Sequence, residues 1–221
     1  YVYDTVHDFY RVNYPGVMSW FECKYFTRCL RATLKYSSVI FTDTDFAKDE
    51  LRRLARGFNI KPPIIITAGI GFAQAKETAV KKRGSLLFLT SAWPHKLTEK
   101  GISFIERWQR ETGFSGGVEL VGSLPVGMRL PRHTGWRHHP RLSEEAYRQF
   151  LAEAKALLFF SAYEGFGMPP VEAMIAGTRP VFSDLPVTRE VMGDMGFSSS
   201  NDSYESFARS MDKALSVSEA Q

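Results

Sequence analysis

Short apolar runs alternate along the chain with longer segments in which apolar residues recur at helical spacing. The runs are rich in Val, Ile, Leu and Phe without clean polar alternation, a pattern typical of strands buried on both faces of a sheet. We predict strands over 2–6, 38–42, 63–67, 85–90, 118–122, 156–161 and 180–182, with further strand signals at 134–136 and 196–198. We predict helices over 17–35, 43–56, 101–111, 143–154, 169–176, 186–192 and 203–215. This alternation predicts an α/β protein whose parallel strands are connected by crossover helices.

The stretch from 68 to 84 indicates a linker between two α/β units, because it contains Gly69, Gly71 and the charged run Lys81-Lys82-Arg83. Only three predicted strands precede it, too few for a complete doubly wound sheet, whereas at least four follow it. We therefore predict a division into residues 1–73, the last part of an incomplete first domain, and residues 74–221, a nearly complete second domain.

Composition removes several classes of protein. A chain of 221 residues with 44% hydrophobic and 24% charged residues is globular rather than disordered, and its longest apolar run is too short for a membrane helix. Cys23 and Cys29 lie on one predicted helix and point in different directions, so we expect no mutual disulfide and a reduced, cytosolic protein. The net charge of +4 conceals a basic segment, 76–142, beside an acidic one, 143–221. This favours one anion-facing segment over a nucleic-acid coat, although chance clustering explains the charges alone equally well.

The most informative segment follows the predicted strand 156–161 and opens a helix at Pro169. Gly165 and Gly167 allow backbone amides to approach a ligand closely, and the helix N-terminus adds unpaired N–H groups with a partial positive charge. Glu164 and Glu172 bracket this loop, and a carboxylate can accept hydrogen bonds from adjacent sugar hydroxyls. The arrangement predicts a site that holds phosphate or the oxygens of a sugar; the structural alternative is a glycine turn with a capping acid.

The pattern Glu-Gly-Phe-Gly-Met-Pro-Pro-x-Glu-Ala-Met from Glu164 onwards, followed by Ala-Gly-Thr-x-Pro-Val, resembles the donor-site signature of retaining glycosyltransferases of family 4, the glycosyl transferases group 1. The segment 184–194 resembles the same family's next loop and helix, and Thr5-Val6-His7-Asp8 resembles a strand-end His-Asp of its N-terminal domain. The resemblance implies a GT-B type fold. A Rossmann-like C-terminal donor domain is then preceded by part of a Rossmann-like acceptor-side domain.

The resemblance also implies roles for individual residues. Glu172 would hold the ribose of a nucleotide-sugar, while Glu164 and His7 would lie by the transferred sugar as catalytic residues. The loop residues Gly165, Phe166, Gly167 and Met168 would bind the donor sugar and diphosphate. Members of the family generally need neither a catalytic metal nor a cofactor beyond a donor such as a UDP- or GDP-sugar, and no metal-ligand spacing is visible in this sequence.

The diphosphate also requires positive charge. Lys100-Gly101 resembles the family's Lys-Gly at a helix start, and Lys96 is a second candidate. The family's upstream Arg is missing, since Thr90 and Ser91 occupy that place. Substitution by His95 or Lys96, an Arg from elsewhere, and weak or lost activity all remain open. Trp136 lies where the family contacts the nucleobase and is a candidate for stacking on it, with an ordinary packing role at least as good an explanation.

We therefore expect a cytoplasmic glycosyltransferase of polysaccharide or lipopolysaccharide biosynthesis. It would transfer a hexose with retention of configuration to a glycan or a lipid-linked glycan, and it would bind no nucleic acid. The alternatives are a catalytically weak or inert nucleotide-sugar-binding module and a nucleotide-sugar epimerase or hydrolase on the same fold. One helix face carries Lys24, Arg28, Arg31 and Lys35 beside Trp20, Phe21, Tyr25 and Phe26. This face indicates peripheral contact with an anionic membrane, unless it is simply a solvated helix surface.

Overall fold

The computed structural model describes residues 1–72, 82–131 and 135–216. The chain separates into two compact units, of which the first contains Tyr1–Phe72 together with Tyr163–Gly167 and Pro186–Gly193. The second contains, of the described residues, 82–162, 168–185 and 194–216. The division predicted from the sequence, between residues 73 and 74, places the segments Tyr163–Gly167 and Pro186–Gly193 in the second domain. By their contacts, both segments group with the first unit.

The first unit is built on helices around a pair of parallel strands. In chain order it has α1 (Val6–Asn13), α2 (Trp20–Tyr36), β1 (Val39–Thr42), α3 (Asp45–Gly57) and β2 (Ile64–Thr67). Strands β1 and β2 pair in register from Val39 with Ile64 to Thr42 with Thr67. Their inward residues Ile40 and Ile65 are buried in a core with Leu34 of α2 and with Leu51 and Leu54 of α3. A capping box between Ser19 and Glu22 fixes the first turn of α2.

The predicted strand over residues 2–6 is wrong. The backbone N–H of Val2 donates to the carbonyl of Phe41, but the chain then turns and enters α1 at Val6. The Asp4 carboxylate accepts a hydrogen bond from the Val6 N–H at 2.9 Å. A local side-chain bond of this kind offers the backbone an alternative to a strand ladder, and it moves His7 from a strand end to the first turn of a helix.

The second unit contains a six-stranded sheet, which is entirely parallel over the described residues. Its elements in chain order are β3 (Leu86–Thr90), α4 (Thr98–Thr112), β4 (Val118–Gly122), β5 (Trp136–His139), α5 (Glu144–Glu153), β6 (Ala156–Phe159), α6 (Met168–Ile175), β7 (Arg179–Ser183), β8 (Phe197–Ser199) and α8 (Tyr204–Ser216). Helix α7 (Pro186–Met192), which follows β7, groups with the first unit. The predicted strands from residue 85 onwards are present in the described residues; of the signal over 134–136, residue 134 lies outside them, and β5 begins at Trp136.

Most of the sheet is buried because its strands carry almost continuous apolar runs. Phe88 of β3, Leu120 of β4 and Leu158 of β6 pack in one core with Ile105 of α4 and Phe207 of α8. Gly101 permits this contact between helix and sheet, since a Cβ atom there would lie 2.5 Å from the Phe88 ring. Helix α5 begins as predicted, with the Ser143 hydroxyl accepting from the Ala146 N–H.

The order of strands across the sheet is β5-β4-β3-β6-β7-β8. The chain thus builds outwards from β3 in one direction and then outwards from β6 in the other. In open parallel sheets, such a reversal leaves a crevice beyond the carboxyl ends of the two central strands, where ligands bind. The reversal lies between β3 and β6, so the segments that follow these two strands are the ones positioned to bind a ligand. No helix in the part of the chain that the structure describes is long and apolar enough to span a bilayer.

Candidate functional site

Two segments of the second unit border the crevice. The segment after β3 carries Lys96 and Lys100, and the segment after β6 leads to the glycine-rich loop and α6. The Ala162 N–H donates to the carbonyl of His95 at 2.7 Å, so the backbones of the two segments are joined. His95 is buried; burial and the adjacent Lys96 charge lower its pKa to about 4, and the imidazole is neutral at pH 7.

A closed ring of hydrogen bonds fixes the chain as it leaves β6. The Ser161 N–H donates to the Ser183 hydroxyl at 2.8 Å, and this hydroxyl donates to the Asn201 Oδ1 at 2.6 Å. The Asn201 Nδ2 returns a bond to the Ser161 carbonyl at 2.8 Å. Three strands contribute to the ring, because Ser161 follows β6, Ser183 ends β7 and Asn201 follows β8. The start of the loop therefore has a defined position before the chain reaches Tyr163.

The loop Tyr163–Gly167 is held inside the first unit. The Tyr163 hydroxyl lies 3.0 Å from both the N–H and the hydroxyl of Thr5, and burial raises its pKa to about 12, so it remains protonated. The Thr44 hydroxyl donates to the Gly165 carbonyl at 2.9 Å. Gly165 is required for close approach, since a Cβ atom there would lie 2.9 Å from the backbone oxygen of Tyr3. Gly167 adopts a φ of +84°, a conformation that favours glycine.

These contacts bring together the segments that carry Glu164 and His7. Glu164 lies between Tyr163, which contacts Thr5, and Gly165, which packs on Tyr3 and Asp4. The His7 ring stacks on Phe26 with ring centroids 3.5 Å apart. Burial lowers the His7 pKa below 6.5, with the charges of Asp4 and Glu22 opposing this effect, so a neutral imidazole is favoured at pH 7.

Glu172 is the fifth residue of α6, which begins at Met168, so it lies just beyond the first helical turn. Its carboxylate is held by a hydrogen bond from the Tyr147 hydroxyl of α5 at 2.9 Å. Burial and the nearby Glu172 charge raise the Tyr147 pKa well above 10, which keeps this hydroxyl a donor. Sequence reasoning missed Tyr147, because its partner lies 25 residues further along the chain.

The remaining loop and lysine candidates have identified surroundings. The Phe166 ring lies against Phe72 in the first unit, with centroids 5.9 Å apart. Met168 begins α6 and is exposed. The Lys96 Nζ stands 5.0 Å from the centre of the Phe159 ring at the end of β6. The Lys100 Nζ is 3.4 Å from the Asp202 carboxylate. Both lysines lie after β3, in the segment that borders the crevice.

The nucleobase-stacking role expected for Trp136 is not supported by its position. Trp136 is the first residue of β5 and pairs with Val118, the first residue of β4, so it lies at the amino ends of the strands. Its indole N–H donates to Gln109 of α4 at 2.7 Å, and its ring packs against the main core. Trp136 is therefore a packing residue at the opposite end of the sheet from the crevice. Within the described ranges, no group of three or more His, Cys, Asp or Glu residues could hold a metal ion.

Comparison with known proteins agrees with this architecture. Residues 134–221 match the family described as "Glycosyl transferases group 1". The fold is of the GT-B type. The O-antigen chain mannosyltransferase RfbU of Salmonella typhimurium is 28% identical over 196 residues, which cover 85% of this chain and 53% of that protein. The O-antigen chain mannosyltransferase B of Escherichia coli is 25% identical over 217 residues, 87% of this chain and 55% of that protein.

The solved structure of a UDP-forming trehalose-phosphate synthase from Burkholderia xenovorans superimposes with a TM-score of 0.69, at 9% identity, over 86% of this chain and 56% of that one. The chain spans about half the length of the curated relatives that it matches. The family match includes Glu164 and Glu172, whereas His7, Lys96 and Lys100 lie outside it.

Proposed function

We propose that this chain belongs to a glycosyltransferase that transfers a mannosyl group from a nucleoside-diphosphate sugar to a glycan acceptor. The observation that carries the proposal is the reversal of strand order between β3 and β6. At this point of the sheet, β6 is followed by the glycine-rich loop and by α6, whose Glu172 carboxylate is held by a hydrogen bond. The names of two relatives, both O-antigen chain mannosyltransferases, support the choice of mannose and of a glycan acceptor.

In this proposal the second unit binds the nucleotide. The Glu172 carboxylate accepts hydrogen bonds from the ribose hydroxyls, and the first amides of α6 face the diphosphate with the positive end of the helix dipole. Lys96 and Lys100 supply positive charge. Lys100 can exchange Asp202 for a phosphate at little cost, because Asp202 is highly exposed and exposed ion pairs contribute little free energy.

The first unit carries Glu164 and His7, and we propose that both act at the transferred sugar. In the retaining reaction that we propose, the bond from C1 of the sugar to the diphosphate oxygen breaks, and a bond from C1 to the acceptor oxygen forms on the same face. The acceptor proton passes to the leaving diphosphate, so no general base from the protein is required. Burial lowers the pKa of His7 and so favours a neutral ring, which can hydrogen bond to sugar hydroxyls.

The test is to incubate the protein with GDP- and UDP-linked radiolabelled α-mannose and a mannose-terminated oligosaccharide. The expected product is an extended oligosaccharide whose new linkage is α by NMR, and it forms equally well after treatment with EDTA. Isomerised or hydrolysed donor with no labelled acceptor would favour an epimerase or a hydrolase. A folded protein that binds these nucleotides without any turnover would favour an inert binding module.

We also propose that helix α2 contacts an anionic membrane surface, as suits a lipid-linked glycan acceptor at the inner face of a membrane. Two adjacent stripes run along its exposed side. Lys24, Arg28, Arg31 and Lys35 are all exposed and form the cationic stripe. Phe21, Tyr25 and Tyr36, which are 64–76% exposed, form the aromatic one. Phe26, expected on this surface, instead turns inward against His7. Exposed aromatic rings beside cations match the interface of an anionic bilayer.

Vesicle sedimentation tests the membrane contact. We expect the protein to sediment with vesicles that contain phosphatidylglycerol and not with pure phosphatidylcholine vesicles. Replacing Lys24 and Arg28 by Gln should weaken this binding about tenfold or more, since each cation near an anionic surface contributes about 1 kcal/mol. The matched control replaces Arg52 and Arg56, a pair with the same spacing on the exposed side of α3, and should bind like the parent. Equal loss in both variants would refute a specific role for α2.

A further inference from the structure

The hydroxyl of Tyr147 donates to one oxygen of the Glu172 carboxylate at 2.9 Å, from a neighbouring helix of the second unit. The Tyr147 ring packs beside a buried cluster that includes Leu151 of α5, Leu157 of β6 and Ala173 of α6. Packing therefore fixes where the hydroxyl lies, and the hydrogen bond restricts the orientations that the carboxylate can adopt. A carboxylate has about four acceptor positions, so this bond leaves capacity for a ligand on both of its oxygens.

From this geometry we propose that Tyr147 is a positioning residue, which orients Glu172 toward the ribose and thereby sets the preference for ribonucleotides over deoxyribonucleotides. The inference rests on the proposed function, in which Glu172 binds the ribose. A carboxylate without a fixed plane can still accept one hydroxyl bond. Two bonds from adjacent hydroxyls require a single orientation, and an orientation that is set before binding costs the ligand less conformational entropy.

The variant Tyr147→Phe removes the hydroxyl and keeps the packed ring. Tyr204→Phe is the matched control, because Tyr204 also donates to a glutamate, Glu111, in the same unit but away from α6. Both variants lose one hydrogen bond of the same type, and only Tyr147→Phe changes a partner of Glu172. Far-UV circular dichroism and thermal melting establish that both variants are folded.

Titration calorimetry with UDP and GDP, and with their 2′-deoxy and 3′-deoxy forms, gives the decisive readout. We expect the parent to bind one ribonucleoside diphosphate more tightly than its deoxy forms. Tyr147→Phe should weaken binding of that ribonucleotide roughly three- to tenfold, which is the range for one net hydrogen bond. It should leave the deoxy forms nearly unchanged, so that the preference collapses. Tyr204→Phe should retain the affinities and the preference of the parent.

A second measurement separates positioning from a general structural effect. In the Glu172→Ala background, Tyr147→Phe should produce no additional loss of nucleotide affinity, because the carboxylate through which it acts is gone. Parent-like binding and preference in Tyr147→Phe would overturn the inference while the proposed function stands. An additional loss in the Glu172→Ala background would also overturn it. A folded parent that binds neither UDP nor GDP would overturn the proposed function and this inference together.

Discussion

In the first unit, adding a single methyl group at Gly165 should have the clearest effect on stability and turnover. A Cβ atom at this residue would lie 2.7 Å from the Asp4 Cβ and 2.9 Å from the backbone oxygen of Tyr3. Carbon atoms prefer separations of about 3.5–4.0 Å, so Gly165→Ala creates an overlap of roughly 0.8 Å or more. The Tyr3 oxygen belongs to the backbone and cannot rotate away. The loop must therefore shift, and the hydrogen bond from Thr44 to the Gly165 carbonyl is strained with it.

Such overpacking costs about 1–3 kcal/mol of stability, which corresponds to a melting temperature lower by roughly 2–12 °C for a chain of this size. On the proposed role of Glu164, the adjacent residue, we expect kcat to fall by about tenfold to a hundredfold, since misplacement by about 1 Å has an effect of this size in enzymes. The affinity for a nucleoside diphosphate, which we assign to the second unit, should change less than twofold. Scanning calorimetry, initial rates with a mannosyl donor and titration calorimetry measure these three quantities.

The control is Gly57→Ala at the end of α3, where a Cβ atom would meet nothing within 4 Å. This variant should melt at or slightly above the parent temperature and retain full kcat. Parent-like melting and turnover of Gly165→Ala would refute the packing of the loop against Tyr3 and Asp4. A loss of nucleotide affinity as large as the loss of kcat would refute the division of roles between the two units.

Three further predictions concern the candidate site and the start of α3. Glu172→Ala should weaken nucleotide binding about tenfold or more by calorimetry, whereas Glu164→Ala should lower kcat and leave that affinity nearly unchanged; parent-like behaviour of both would refute the site. Because the folded-state pKa of His95 is about 4, the unfolded chain binds more protons between pH 4 and 6.5, so stability falls as the pH drops through this range. Urea titrations should show a loss of about 2 kcal/mol from pH 7 to 5 that His95→Asn largely abolishes; an unchanged slope in this variant would contradict a buried neutral ring. Glu190→Ala removes the acceptor of the Asp45 and Phe46 N–H groups at the start of α3 and should lower stability by about 1 kcal/mol, which Glu190→Gln restores in part; thermal melts with no difference would contradict this cap.

The strands of the second unit were predictable because their sequences carry a strong and local signal. The runs 85–90, 118–122 and 156–161 are almost continuously apolar, as strands buried on both faces must be, and each forms a strand within two residues of its predicted end. The glycine-rich loop was recognisable for a similar reason, since the close approach of Gly165 and the positive φ of Gly167 leave few alternatives to glycine.

The start of the chain was not predictable from the same signals. The apolar residues of 2–6 fit a strand, and α1 has only eight residues, too few to show a helical period clearly. The choice between the two depends on one side-chain hydrogen bond, from the Val6 N–H to Asp4, and on the contact of Thr5 with Tyr163, 158 residues away. The nucleobase-stacking role predicted for Trp136 was not supported for a related reason. A local motif does not indicate at which end of a strand a side chain will lie.

The supports of the candidate site share one property that explains why sequence reasoning missed them. Tyr147 holds Glu172 from 25 residues away, Thr44 holds Gly165 from 121 residues away, and Ser161, Ser183 and Asn201 come from three different strand ends. The chemistry of a ligand restricts which residue types can contact it, so these residues form a recognisable sequence pattern. A support needs only a donor in the right place, and Tyr, Thr, Ser or Asn from any neighbouring element can supply it. Variation among proteins that share this glycine-rich loop should therefore concentrate in the supports, and the effect of Tyr147→Phe on ribose preference measures how much of the proposed specificity depends on them.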